Sequence, residues 1–176
     1  MANTTGYYGV IPYGPQKDDA VMEFPVDASS GALYYGDLVQ LVADNGVSNA
    51  AATNEDNLGI CVGFLNGSGL PVPYLPLSPI LGEKALVNID PYQLYQTKCL
   101  AALTAANVGD CADHTVATGD ADSGRSGSYI ADVTGSHATA TFRILGLVPR
   151  AGNAWGAYQD IVVLLNDYLA AGPAGI

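Results

Sequence analysis

The sequence predicts a mainly β protein: a compact barrel-like or sandwich core of short strands, with one short helix and an extended N-terminal arm. Three observations lead there. Short runs rich in Val, Ile, Leu, Tyr and Phe recur along the chain, each bounded by Gly, Asn, Asp or Pro. Glycine and proline, 21 and 10 of 176 residues, exceed the usual share of about 12% and punctuate the chain at short intervals. Helix-length amphipathic stretches are nearly absent.

Taken in order, residues 1–20 form the arm, with Tyr7, Tyr8, Tyr13, Pro12 and Pro15 set among glycines. Residues 21–176 follow as a single β-rich domain, long enough to bury a core of its own. Strands are expected at 21–26, 37–43, 58–65, 84–89, 93–98, 129–133, 141–148 and 160–165. Gly36 suits a turn closed to other residues, with Asp37 bonding nearby backbone as the strand begins. Gly59, Gly63 and Gly146 interrupt apolar runs, where glycine marks a bulge or a sharp bend. Residues 69–79 (GLPVPYLPLSP) hold four prolines and read as an extended crossover rather than a central strand. Residues 100–107 (LAALTAAN) are the one helix candidate, about two turns long. CADH at 111–114 reads as a turn, and 114–128 as a small, polar surface loop or hairpin tip.

Charge narrows the function. The chain carries 17 acidic and 6 basic residues, a net of −11. Six scattered cations make no positive patch, so neither nucleic acid nor an anionic membrane is an expected partner. The start, MANTTGYYGVIPYG, lacks the basic and apolar regions of a signal peptide, and the longest apolar run, IVVLL, is far short of the ~20 residues of a membrane helix. Cys61, Cys99 and Cys111 are odd in number and show no CxxC spacing, so they read as buried reduced thiols.

The chemical candidates are sparse. Cys111 and His114 could begin a zinc site or a nucleophile pair, but no second close pair of ligands accompanies them. Asp120 and Asp122 start like a calcium loop, yet Gly124, Arg125 and Ala131 stand where later ligands and glycine belong. GFLNGSG at 63–69 matches neither nucleotide fingerprint. The chain therefore reads as no enzyme, with no metal site and no cofactor.

The remaining signal lies in FRILGLVPRAGNAWGAYQDIVVLLNDYL, residues 142–169. Two apolar runs with the look of buried strands flank a connection that holds Arg150, the only tryptophan, Trp155, and Tyr158. Arg, Trp and Tyr dominate interface hot spots, so these three, with Tyr7, Tyr8 and Tyr13 of the arm, are the candidate interface residues. A second reading folds Trp155 back to plug its own barrel end.

Gly36-Asp37-Leu38-Val39, Gly59-Ile60-Cys61-Val62-Gly63 and Arg143-Ile144-Leu145-Gly146-Leu147, with the long final strand after them, carry a resemblance. Their order and spacing are similar to a family of tailed-bacteriophage head decoration, or capsid cement, proteins. The arm departs from the family pattern, which often has a basic Phe-Arg-Pro stretch where this chain has Tyr-Gly-Val-Ile-Pro-Tyr. The resemblance implies an accessory virion protein on the outer face of the phage head, made in the bacterial cytoplasm and reinforcing contacts between major capsid subunits. The implied partners are the major capsid protein and sister copies of the chain, as a dimer or trimer. Net acidity fits a position away from packaged DNA. The residues alone also allow a carbohydrate- or receptor-binding β module, with Trp155, Tyr158 and Tyr129 as a stacking surface.

Overall fold

The computed structural model describes residues 6, 8–42, 46–50, 57–77, 79–134 and 140–166. They form β1 (Ile11–Pro12), β2 (Val21–Pro25), β3 (Leu33–Tyr34), β4 (Leu38–Leu41), β5 (Val47–Asn49), β6 (Asn57–Leu65) and β7 (Pro71–Val72). After these come β8 (Tyr74–Leu75), β9 (Lys84–Asn88), β10 (Leu94–Cys99), β11 (Cys111–Thr115), β12 (Tyr129–Thr134), β13 (Phe142–Leu147) and β14 (Gln159–Leu165). The fold is mainly β, and all eight predicted strands are present within two residues of their expected ends.

Five strands close a barrel in the order β10-β12-β11-β13-β14, and β14 returns to β10 through an antiparallel ladder from Leu94↔Leu164 to Cys99↔Gln159. Alternation along these strands turns Tyr95, Ile130, Phe142, Ile144, Ile161, Val163 and Leu165 inward, where they are fully or almost fully buried. β13 bulges between Ile144 and Gly146, at the predicted glycine.

A second sheet runs β2-β9-β6-β4-β5, and a single bridge between Val26 and Val47 draws its ends together. It curls around Leu33, Val39, Val47, Cys61, Phe64, Leu75 and Val87. The strands β4 and β6 serve both cores. Leu38 and Ile60 pack into the first, while their neighbours Val39 and Cys61 pack into the second. Register shifts in β6 fall beside Gly59 and Gly63. A Cβ on Gly59 would strike the carbonyl of Asn88, so the strands can approach only where the side chain is missing.

Three expectations need correction. Residues 100–107 form no two-turn helix; only Ala105–Asn107 turn, as a 3-10 element. The Leu100 N–H donates to the Ile130 carbonyl and Leu103 is buried in the first core, so tertiary pairing takes the segment before a helix can start. Asn107 caps the Thr104 N–H at 2.9 Å, a local bond that competes with further helix. CADH is not a turn but most of β11, a barrel strand paired to both β12 and β13. The loop after it is not wholly a surface feature, because His114, Gly124, Ser126 and Ser128 are buried.

The described part of the arm is extended along the chain's own barrel near Val10–Tyr13 and ends in a 3-10 turn, Asp18–Ala20, beside the second sheet. Val10 is buried in the first core, Ile11 and Pro12 pair with Gln96 and Tyr95, and the Tyr13 N–H donates to Leu94. Proline is tolerated there because β1 sits on a strand edge.

Candidate functional site

The inward positions Tyr95 and Cys99 of β10, and Ile161 and Val163 of β14, leave Lys98 and Asp160 on the outer face of the barrel. The two are register partners, with Lys98 Nζ 3.0 Å from Asp160 Oδ1. An outward ion pair is normally wet, yet these side chains are only 3% and 1% exposed. The arm and the 148–158 connection cover them.

Tyr8 supplies the first cover. Its hydroxyl donates to Asp160 Oδ1 at 2.7 Å, and its ring centroid lies 5.8 Å from Lys98 Nζ, within cation–π range. Arg150 supplies the second, its Nη2 ion-paired with Asp160 Oδ2 while the side chain stays 51% exposed. Asn153 fixes the connection: its amide donates to the Val148 and Asp160 carbonyls at 2.9 and 2.7 Å, and its Oδ1 accepts the Asp160 N–H at 3.0 Å. Tyr158 adopts a left-handed φ of 58°, costly for a non-glycine residue, and its carbonyl accepts from Lys98 Nζ at 3.2 Å. Trp155 is half-buried and packs against the first core.

Burial lowers the Lys98 ammonium's pKa, and the charge of Arg150 pushes the same way. Burial raises the Tyr8 phenol to about 12 despite an opposing effect of Arg150. Tyr8 is therefore a neutral donor at ordinary pH. The lysine and the carboxylate are closed off from solvent, and the guanidinium of Arg150 is the charged group that reaches it. This arrangement holds a loop in place and presents an arginine.

Of the six residues predicted from sequence, Tyr8 and Arg150 meet on the same carboxylate, Tyr158 joins through its backbone and Trp155 stands on the same connection. Tyr13 lies apart, half-buried at the Leu94 end of β10. Tyr7 lies outside the described residues. Sequence reasoning missed Asp160 and Lys98. The available signal was a lone charge at the edge of each apolar run, since buried charges are almost always paired.

A second buried carboxylate sits where the arm, the turn before β4 and the 117–128 loop meet. Asp37, 4% exposed, accepts the Tyr34 N–H at 2.8 Å on Oδ2 and the hydroxyls of Ser126 and Ser128 on Oδ1. Gly36, at φ 92°, permits this turn and lets Val10 pass close enough for its N–H to reach the Gly36 carbonyl at 2.8 Å. Burial raises Asp37 to about 6, against the opposing bonds from Ser126, Tyr34 and Ser128.

His114 is also buried, with Nδ1 3.3 Å from Thr141 Oγ1 and Nε2 3.4 Å from the Ala50 carbonyl; burial lowers its pKa. The three cysteines are buried, and none forms a disulfide. Among the described residues, no group of three His, Cys, Asp or Glu side chains is placed to hold a metal ion, and no helix is long and apolar enough to cross a membrane. No family model matches the chain, and no curated protein or solved structure is significantly similar to it.

Proposed function

We propose that this chain is an accessory capsid cement protein, binding the outer face of a bacteriophage head and reinforcing contacts between major capsid subunits. One observation carries the reading. Arg150, Trp155, Tyr158 and Tyr8, residue types that dominate interface hot spots, gather beside the β10–β14 ladder of a closed barrel, where a buried carboxylate holds Arg150 and Tyr8 and its lysine partner holds the Tyr158 backbone. A rigid base limits the entropy lost when such side chains are ordered by a partner. The resemblance of its glycine-marked strands to phage head decoration proteins favours the major capsid protein as that partner. The −11 charge suits an outer face, where the packaged DNA is on the other side of the shell.

The test uses shells stripped of accessory protein. Added wild-type chain should bind stoichiometrically and raise the temperature at which the shells fail. Trp155→Ala should weaken that binding by about 2 kcal/mol or more, with the variant's own melting point measured in parallel to separate lost packing from lost contact. Decorated and stripped shells failing at the same temperature would sink the cement role. Retention of the free protein on a glycan column would instead support the carbohydrate-binding β module.

A further inference from the structure

Residues 57–82 contain no charged side chain, in a chain whose other residues hold all 17 acids and 6 bases. Within this stretch the apolar side chains are unusually bare: Leu70 is 62% exposed, Leu77 and Ile80 71%, and Leu81 98%. Together they leave roughly three whole aliphatic residues in water. The turn after β6 and the turn before β9 abut, Gly67 against Gly82, so Leu70, Ile80 and Leu81 emerge at the same end of the second sheet. Leu77 lies on the segment that joins them.

The strip is shaped as well as apolar. Pro71, Pro73, Pro76 and Pro79 fix φ along it, so little conformational entropy remains to be lost on contact. The same prolines lack N–H donors, which leaves the segment a poor template for an added strand. Contact must then be made through side chains, surface to surface. At the Gly82 end of the strip, Glu83 is buried and Lys84 is held by Glu23 at 2.7 Å, so this end carries no unmatched charge, while Arg125 lies beside Pro73 at the other side.

We infer that this strip is a self-association surface, covered in solution by the same strip of a second copy. The charge distribution selects that occupant. Two chains of net −11 repel one another wherever their acidic faces meet, and the charge-free strip is where they can approach without that cost. The inference deepens the capsid reading, which already implies sister copies as partners, by naming the face where they meet, and sedimentation of the purified chain tests that face without any shell.

Sedimentation of the full chain at micromolar concentrations tests it. The wild type should run above the 18.1 kDa of a single chain, and added salt should strengthen the assembly by screening like charges. The double variant Ile80→Asp, Leu81→Asp should weaken association about a hundredfold or more and return the mass to one chain. Both side chains are exposed, so its circular dichroism and melting point should match the wild type. Val116→Asp, at an exposed apolar residue outside the strip, should leave the assembly unchanged. A wild type that stays at one chain mass throughout would overturn the inference, as would a double variant that keeps the wild-type mass. Strip variants that lose binding to stripped shells while the wild type remains monomeric would assign the strip to a different partner.

Discussion

Asp160 and Asp37 are both carboxylates buried almost completely, but Asp160 ties the arm to the 148–158 connection whereas Asp37 ties the turn before β4 to the 126–128 segment, and their surroundings treat the charge differently. Asp160 meets two cations and a phenol, so its charge is matched in place. Asp37 meets hydroxyls and a backbone N–H, and the strongest influence on it is burial, which favours its proton. The first clasp therefore matches its charge with cations, whereas the second holds its carboxylate with hydroxyls and an N–H alone, so that burial still penalises the charge. A buried carboxylate paired with cations and one held by hydroxyls and an N–H differ in how they answer pH, because only the second gains from taking up a proton.

The largest expected effect comes from breaking the charged clasp. Asp160→Ala strands Lys98 in a buried site and should cost about 3–5 kcal/mol, read from chemical denaturation. Replacing Lys98 and Asp160 together with apolar residues should recover much of that loss, because the penalty belongs to the unpaired charge.

The second clasp should respond to pH instead. Asp37 titrates near 6 when folded and near 3.8 when unfolded, so the folded protein holds a proton that the unfolded chain releases first. Its contribution is fully present below about pH 4 and is lost as the pH rises through 6, amounting to about 3 kcal/mol. Asp37→Asn, which cannot ionise, should flatten that dependence and stabilise the protein at pH 7–8. If the variant and the wild type lose stability in parallel between pH 4 and 8, the assignment is wrong.

The smallest effect sharpens the first clasp. Tyr8→Phe removes one donor from Asp160 while both cations remain, and should cost about 1–2 kcal/mol without shifting the pH profile between 4 and 8. A larger loss would mean that the ring, over Lys98, rather than the hydroxyl, is what seals the pair.

The strands were legible where large apolar residues alternate between turn formers, as in β6 and β13, and the three interrupting glycines correctly marked irregular register. β11 was not legible, because its buried positions are filled by Cys111, Ala112 and His114, too small or too polar to give a period-two signal. β5 is three residues long and offers no period at all. At the barrel end, residue type was enough to single out Tyr8 and Arg150, but not the carboxylate between them. Lys98 and Asp160 occupy outward positions that alternation assigns to solvent. Their burial depends on a strand register and on two covering segments, none of which is written locally.

The hydrogen bond from Tyr8 to Asp160 spans 152 residues, and the ladder that closes the barrel belongs to its last strand. Until β14 arrives, β10 and β13 each lack a neighbour, and Lys98 lacks Asp160. Folding of the first barrel must therefore wait for nearly the whole chain, with the slow kinetics of non-local pairing. A chain interrupted before Gln159 would carry two unpaired edges and an open core, the condition that favours aggregation over solubility.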